Sequence, residues 1–316
     1  VGALNDSITS GAIREVILVS EALHEQKISE IAAKIANHSK GIKIVLIAGP
    51  TSSGKTTFSK RLAIQLLTRG ISPFPLEMDN YFVDRDKTPK DEFGNYNFEA
   101  YEALDSAAME RDLMKLLDGE SVQLPKFNFQ SGYREPGATV RLGKNQIVLI
   151  EGIHGLNSRL LEEIDKDKKF RIYASCLTQL NLDHYNRIST TDTRMLRRIV
   201  RDANTRGFSA QRTIELWESI RRGEREYIFP NQENADEIFN SALVYELAAL
   251  KNYAEPLLRQ IAFGTEAYLE AKHLLTFLEW FLPIDRGLIP DNSILREFIG
   301  ESILADFHLW QDRPGI

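Results

Sequence analysis

Apolar residues along the chain fall into short continuous runs that alternate with stretches in which they recur every three or four positions. The continuous runs predict strands buried on both faces, over residues 42–48, 74–78, 146–150, 170–175 and 238–244. The longer spacing predicts helices over residues 11–38, 58–67, 103–117, 194–204 and 210–222, and mostly helical chain after Glu246. Strands that alternate with helices are typical of a parallel sheet with right-handed crossovers, so the pattern predicts an α/β fold.

The pattern breaks over residues 79–101, which are polar and aromatic and are interrupted by Pro89 and Gly94. A loop of that length inside a compact domain usually carries function. We find no internal repeat and no low-complexity linker, so we expect one catalytic domain with helical additions at both ends. The predicted division is an N-terminal helical extension over residues 1–40, a core over 41–250 and a C-terminal helical extension over 251–316.

Composition and charge narrow the setting of this fold. The 316 residues include one cysteine, Cys176, which excludes an internal disulfide framework and fits a reducing compartment. A net charge of −6 argues against a general nucleic-acid coat, and no apolar stretch is long enough to span a bilayer. No charged-then-apolar leader precedes the first helix, so we do not expect secretion, and because the chain begins at Val1 and not at Met, we expect a fragment of a longer protein. We predict a cytoplasmic protein with no membrane or nucleic-acid partner. The sequence is compatible with a homo-oligomer.

The segment after the first predicted strand matches the phosphate-binding pattern G-x-x-x-x-G-K-[ST]. Its glycines let backbone amides curl around phosphate oxygens, and the start of the next helix adds partial positive charge. Lys55 would reach the β- and γ-phosphates, and the Thr56 hydroxyl would ligate Mg²⁺. The pattern predicts a P-loop NTPase fold, a three-layer sandwich around a parallel sheet, that binds ATP, or GTP as an alternative donor, with Mg²⁺. The expected nucleotide-binding residues are Gly49, Thr51, Ser52, Ser53, Gly54, Lys55, Thr56 and Thr57; the alternative is a glycine-rich turn without a ligand.

Two acidic residues indicate which class of P-loop protein this is. The chain has neither the N/T-K-x-D guanine reader of GTPases nor the LSGGQ signature of ABC ATPases, whereas small-molecule kinases need a carboxylate near the acceptor hydroxyl. Asp79 follows the second strand at the sheet edge where such ligands bind, and could accept that proton or hold Mg²⁺. Glu151 ends the third strand, as a Mg²⁺-binding acid does. The alternatives are a turn-capping aspartate and a strand-terminal glutamate in solvent.

A cluster of arginines supplies the positive charge that phosphoryl transfer needs. Between Arg194 and Arg225 there are nine arginines and no lysine. One helix face carries Arg194, Arg197, Arg198 and Arg201, and we expect Asp202 to lie off that face. One guanidinium group can donate two parallel hydrogen bonds to phosphate oxygens, so we predict that these arginines form a lid over the nucleotide. The alternative is a solvated basic face or an RNA contact.

With these residues, the chain resembles the uridine kinase and phosphoribulokinase family over about residues 42–240. The resemblance rests on the phosphate loop and on residues 78–82, 96–99, 124–129, 151–153 and 197–202. It implies that Asp79 is the general base toward a nucleoside 5′-hydroxyl and that Thr56, Glu151 and Asp79 form the Mg²⁺ site. It places Glu99 on the ribose 2′- and 3′-hydroxyls. The substrate residues it implies are Phe82, Phe98, Glu99, Phe127, Arg134 and Arg194; the lid residues are Arg197, Arg198, Arg201 and Arg206, with Arg198 and Arg201 catalytic.

Two departures from the family pattern concern the base. Where uridine kinases continue into a tyrosine, an aspartate and a histidine that reads the pyrimidine edge, this chain has Phe127, Asn128 and Gly132. The helices outside the core also differ from a minimal kinase. The whole chain looks most like the kinase half of longer bacterial proteins that carry a TGS and a threonyl-tRNA-synthetase-like module upstream.

Three functions are compatible with these residues. The first is an ATP- and Mg²⁺-dependent nucleoside 5′-kinase, with uridine as the first substrate to test. The second is a kinase of another hydroxyl metabolite, such as a sugar phosphate or pantothenate; an acid at Glu99 suits a neutral diol better than an anion. The third is a nucleotide-gated binding module without turnover, against which the presence together of Lys55, Thr56, Asp79 and Glu151 argues.

Overall fold

A computed structural model of the chain describes residues 1–38, 41–92 and 94–307. Residues 39–40, where the predicted N-terminal extension ends, and residues 308–316 of the predicted C-terminal extension lie outside the described residues. No helix within the described ranges has both the length and the apolar character that a membrane crossing requires.

The centre of the fold is a five-stranded sheet in which all neighbouring strands are parallel. The strands of the chain are β1 (Ile44–Ala48), β2 (Ser72–Glu77), β3 (Val122–Asn128), β4 (Tyr133–Val140), β5 (Gln146–Glu151), β6 (Lys169–Ser175) and β7 (Glu237–Asn240). The central sheet has the order β2-β5-β1-β6-β7. Every residue of β1 is buried, as expected for the middle strand of a sheet covered on both faces.

Helices cover both faces of this sheet. They are α1 (Gly2–Thr9), α2 (Ile13–Asn37), α3 (Lys55–Leu67), α4 (Ser106–Leu117), α5 (Thr190–Arg206), α6 (Ala210–Glu215), α7 (Trp217–Gly223), α8 (Glu246–Leu258), α9 (Ala267–Glu279) and α10 (Arg296–Ile299). A π-helical turn, Glu224–Ile228, follows α7 directly. The predicted α/β fold, a three-layer P-loop sandwich with helical additions, is therefore confirmed.

The strand order places the candidate site. The chain leaves β1 toward β2 on one side of the sheet and later places β6 on the other side. In open α/β sheets, ligands bind at the carboxyl ends of the strands where the order reverses in this way. The segment that follows β1 and the acid that ends β5 meet at this edge, because Ile47 and Glu151 are paired in register.

The hairpin of β3 and β4 was not predicted. It forms a separate antiparallel pair with a register shift between Gln123 and Pro125, and most of its residues are partly or fully exposed. A half-exposed ribbon with a bulge and two prolines has neither a continuous apolar run nor a regular alternation, so periodicity does not reveal it.

The N-terminal and C-terminal helices share one apolar core with the sheet. The helix α2 packs along α3, and α8 and α10 pack against α5. An ion pair between Arg61 of α3 and Glu21 of α2, both buried, joins the first of these contacts, and the Tyr245 hydroxyl also donates to Glu21. Residues of the same cluster range from Leu4 to Ile299. The N-terminal and C-terminal helices are therefore part of the same packed core as the sheet.

Candidate active site

The phosphate loop, residues 49–56, leaves the buried strand β1 and enters α3. Gly54 stands at the helix N-cap with φ 82°, a left-handed conformation that glycine adopts without strain. Gly49 lies so close to the next strand that a Cβ atom there would collide with the Ala174 carbonyl oxygen. These two positions explain why the loop needs its glycines.

The loop has the donors that an anionic ligand requires. The hydroxyl oxygens of Ser52 and Ser53 are buried and have no hydrogen-bond partner among the described residues. Lys55 donates from Nζ to the carbonyl oxygens of Gly49 (2.9 Å) and Pro50 (3.0 Å). Buried polar groups normally have partners, so unpartnered hydroxyls beside a helix N-terminus fit phosphate oxygens.

The predicted metal ligands are brought together. Thr56 Oγ1 donates to Glu151 Oε1 at 2.7 Å. Hydroxyl and carboxylate oxygens are ligands that Mg²⁺ prefers, so this pair fits the ion. Burial raises the pKa of Glu151 to about 7, although the Lys55 ammonium opposes the rise. A cation bound here would offset the free-energy cost of keeping the buried Glu151 carboxylate charged.

Asp79 lies in the short turn Met78–Tyr81 that follows β2 directly. Glu77, two residues earlier, is in register with Glu151, so the turn faces the same sheet edge as the phosphate loop. Burial raises the pKa of Asp79, and the positive charge of Lys55 opposes the rise. Asp79, Glu151 and Glu99 in turn oppose the lowering that burial imposes on the pKa of Lys55. One lysine and three carboxylates thus share the cleft.

Glu99 enters this cleft from the long loop. Gly223 leaves the space that the Glu99 side chain fills. A Cβ atom at position 223 would lie only 2.5 Å from Glu99 Cβ, so a larger residue there would displace Glu99. Burial and the neighbouring Glu224 raise the pKa of Glu99 to about 7, while Arg198 and Lys55 oppose the rise. The loop therefore positions a second acid near Asp79.

The three predicted aromatic residues lie together. The ring of Phe82 lies 5.9 Å from that of Phe127, edge to face, and 6.4 Å from that of Phe98. The backbone N–H of Phe127 donates to Asn80 Oδ1 at 3.1 Å, which ties the β3–β4 hairpin to the turn that carries Asp79. Phe82 and Phe127 are buried, and Phe98 is exposed. The hairpin thus completes an apolar wall beside the cleft.

Arg134 faces Phe127 across the hairpin in register. Its Nη2 donates to Asp105 Oδ2 at 2.8 Å, and its backbone N–H donates to Asp84. The carboxylate of Asp105 also caps the N-terminus of α4. Arg134 therefore has a structural partner in addition to its predicted contact with substrate, which stays a prediction.

Two arginines of α5 lie behind the phosphate loop. Arg197 is fully buried and donates to Glu246, Ser241 and, at 3.3 Å, the carbonyl oxygen of Ser52. Protein acceptors thus take all three of its nitrogens, so Arg197 supports the phosphate loop here, and its predicted place in the lid stays a prediction.

Arg194 is also buried, and forms an ion pair with Glu224 and a hydrogen bond to the Thr51 carbonyl oxygen at 3.0 Å. The Glu224 carboxylate also accepts from the Thr51 backbone N–H at 3.1 Å. The side chains of Arg194 and Glu224 thus hold the first half of the phosphate loop against α5, and the predicted contact of Arg194 with the sugar stays a prediction.

The arginines in the last turns of α5 surround Asp202, which corrects the expectation that Asp202 lies off their face. Arg198, Arg201 and Arg206 all lie within ion-pair distance of its carboxylate. Asp202 is four residues from Arg198 and from Arg206, the spacing at which helix side chains meet. Arg198 also donates to Thr51 Oγ1 at 2.7 Å, so it reaches the phosphate loop. One carboxylate cannot neutralise three guanidinium groups, and positive charge remains for a ligand.

Several supporting residues were not found from the sequence. They are Glu224, Ser241 and Glu246, which lie 30, 44 and 49 positions from their arginine partners, and Gly223, which lies 124 positions from Glu99. The two glutamates offered only their acidic character within or after an arginine-rich stretch, which many surface acids share, and Ser241 and Gly223 offered no signal.

Comparisons with known proteins identify the family of this chain. The sequence profile of the phosphoribulokinase/uridine kinase family matches residues 44–248. Uridine-cytidine kinase B of Dictyostelium discoideum is 29% identical over 203 residues, which cover 64% of this chain and 76% of that protein. The uridine kinase of Ligilactobacillus salivarius is 27% identical over 64% of this chain and 86% of its own length.

Among solved structures, a possible uridine kinase from Bacillus stearothermophilus is similar with a TM-score of 0.41 and 20% identity, over 63% of this chain and 89% of that one. The family match includes the phosphate loop, Asp79, Glu99, Glu151 and the helix α5. The chain therefore belongs to the phosphoribulokinase/uridine kinase family and is a phosphotransferase.

Proposed function

We propose that this protein transfers the γ-phosphoryl group of ATP to the 5′-hydroxyl of a ribonucleoside, with uridine as the first substrate to test. The observation that carries the proposal is that Asp79, in the turn that follows β2 at the phosphate-loop edge of the sheet, and Glu99 both lie within electrostatic range of Lys55. A kinase needs an acid for the attacking hydroxyl beside the cation that holds the phosphates. A second acid at Glu99 is suited to accept hydrogen bonds from the two ribose hydroxyls.

Each residue of the cleft then has a defined task. Lys55 and the amides of the phosphate loop bind the β- and γ-phosphates, and Asp79 accepts the proton of the 5′-hydroxyl as that oxygen attacks. Thr56 and Glu151 would hold Mg²⁺, with Asp79 joining through water. The bound ion would neutralise charge on the phosphate oxygens. Arg198 and Arg201 stabilise the charge of the group in transfer.

The last turns of α5 are expected to order when donor and acceptor are both bound. Hydrogen exchange over residues 198–206 should slow when a bisubstrate analogue is added, because the phosphates compensate the excess positive charge around Asp202. Residues 190–197 serve as the internal control, since Arg194 and Arg197 already hold that part to the phosphate loop. Equal exchange over 198–206 in the free and bound protein would contradict a gating role.

The wall that would face the base offers mainly stacking. Gly132 takes a left-handed conformation with φ 82°, and a Cβ there would lie 2.6 Å from Arg85 Nε. A histidine at this position would therefore displace Arg85. Phe82, Phe98 and Phe127 remain as apolar surface, and stacking discriminates little because every base has a π-face.

We therefore expect selectivity for the ribose to exceed selectivity for the base. In an ADP-release assay, kcat/KM for uridine, cytidine, adenosine and guanosine should differ by less than about 10²-fold, because apolar contacts differ by only about 1–3 kcal/mol. The kcat/KM for 2′-deoxyuridine should be lower than that of all four ribonucleosides, since this substrate lacks the 2′-hydroxyl that would donate a hydrogen bond to Glu99. In the Glu99→Gln variant, this gap between ribose and deoxyribose should narrow.

Other results of the same panel would point elsewhere. A preference for uridine above about 10³-fold would require a polar base reader, such as Gln130, Ser131 or Tyr133. Turnover of a sugar phosphate or pantothenate without turnover of nucleosides would indicate a kinase of another metabolite. Binding of ATP without turnover of any acceptor would support a binding module.

A further inference from the structure

A segment near the end of the described chain lies directly on the phosphate loop. We call residues 293–299, which include α10, the C-terminal strap. Four of its apolar residues, Ile294, Leu295, Phe298 and Ile299, are buried. Ile294 packs so closely on Gly54 that a Cβ atom added there would lie 2.8 Å from Ile294 Cγ2. The strap therefore covers the point at which the phosphate loop turns into α3.

The strap places a carboxylate at the N-terminus of α3. Glu297 Oε2 accepts a hydrogen bond from the backbone N–H of Thr57 at 3.0 Å. The first N–H groups of a helix have no partner within the helix, and those after a phosphate loop point at phosphate oxygens. The carboxylate oxygen of Glu297 thus occupies a position suited to a phosphate oxygen.

The charge of Glu297 acts on the catalytic cleft as well. It is one of the negative charges that oppose the lowering of the Lys55 pKa, and it contributes to the raised pKa of Glu151. A polyphosphate bound to the loop would meet this carboxylate at close range, and like charges at such distances repel. Glu297 and a bound phosphate therefore compete for the backbone N–H of Thr57 and for the positive charge of Lys55.

Contacts with α3 and α5 hold the strap in this position. The guanidinium of Arg197 lies 5.0 Å from the centre of the Phe298 ring, and Asn204 Nδ2 donates to the Phe298 carbonyl oxygen at 3.0 Å. Just beyond the strap, Lys60 of α3 donates to the Leu304 carbonyl oxygen at 2.6 Å. The strap thus connects the phosphate loop with the helix that carries the predicted lid arginines.

We propose that the C-terminal strap is an autoinhibitory element, in which Glu297 holds the N-terminus of α3 and has to withdraw before the nucleotide phosphates bind. The inference rests on the proposed use of the phosphate loop for ATP. A closed state of this kind reduces the apparent affinity for nucleotide by the fraction of molecules that are open. A hydrogen bond to a charged group shifts such an equilibrium by about 10- to 100-fold.

The first test compares nucleotide binding by the full chain and two kinds of variant. Glu297→Gln keeps the shape and an acceptor oxygen but removes the charge, and Glu297→Ala removes both. Asp306→Asn is the matched control. Asp306 is exposed and lies seven residues beyond the strap in the chain, so the substitution removes one negative charge without changing a residue of the strap or the phosphate loop. Binding of Mg²⁺-ATP is measured by calorimetry, with thermal unfolding to verify that each variant is folded.

Both Glu297 variants should bind ATP about tenfold or more tightly than the unchanged chain, and Asp306→Asn should bind within twofold of it. Equal or weaker binding by the Glu297 variants would overturn the proposal, since the carboxylate would then be a structural or nucleotide-supporting group. Absence of ATP binding in every variant would instead overturn the proposed function, and the strap's role with it.

The second test follows the strap itself. Hydrogen exchange over residues 293–299 of the unchanged chain should become faster when ATP saturates the site, because the phosphates replace Glu297 at the Thr57 N–H. Residues 106–117 of α4, which lie away from the loop, serve as the internal control. Unchanged protection of the strap at saturating ATP would show that the strap is not released when the nucleotide binds, and the proposal would be wrong.

Discussion

Replacement of Lys55 by alanine should reduce turnover to background while the protein stays folded. Among the described residues, the Lys55 ammonium donates hydrogen bonds only to the carbonyl oxygens of Gly49 and Pro50, so it does not hold the core together. Its charge is available to the β- and γ-phosphates, on which phosphoryl transfer depends. The purified variant is assayed for ADP release, and circular dichroism reports its thermal unfolding.

Lys115→Ala provides the control for this experiment, because Lys115 is exposed on α4 and far along the chain from the loop. That variant should keep the activity of the unchanged chain. A Lys55→Ala variant with unchanged kcat would contradict the assignment of residues 49–56 as the phosphate site.

Replacement of Asp79 by asparagine should lower kcat by about 10²-fold or more, the usual contribution of a positioned general base. Asparagine keeps the size of the side chain but cannot accept the proton of the attacking hydroxyl. Steady-state kinetics with ATP and uridine separate kcat from KM. If only KM rises, Asp79 binds substrate without acting as the base.

Glu77→Gln is the matched control for Asp79. Glu77 stands two residues earlier at the same edge of the sheet, and its charge contributes to the raised pKa of Asp79. The control removes one negative charge from this edge but leaves the proton acceptor. An equal loss of kcat in both variants would attribute the effect to local charge and not to proton transfer.

The central sheet could be predicted because its inner strands β5, β1 and β6 are mostly buried on both faces. The five residues of β1 form an unbroken apolar run for that reason, and the run points to a strand whatever surrounds it. The last strand was predicted over 238–244 but ends at Asn240, since Ser241 turns to meet Arg197. An end set by a contact 44 residues away in sequence is not encoded in local periodicity.

The site could be predicted where one residue type performs one local task. The phosphate loop is such a case, because glycine, lysine and threonine are required at fixed positions in a single segment. The partners of the arginines could not be predicted in the same way. Whether Arg197 binds a nucleotide or Glu246 depends on which groups the fold brings to its guanidinium, and only the tertiary structure determines that.

The shared core has a consequence for the order in which this enzyme is made. The phosphate loop leaves the ribosome before Arg197, Glu246 and the strap, which support it and are synthesised about 140 to 250 residues later. Until residues near Ile299 have emerged, the apolar faces of α3 and α5 that later helices cover are open to solvent. A nascent chain therefore holds the complete phosphate motif long before it holds the residues that pack against that motif, so the phosphate loop cannot reach its final packing until the helices that follow it in the chain have been synthesised.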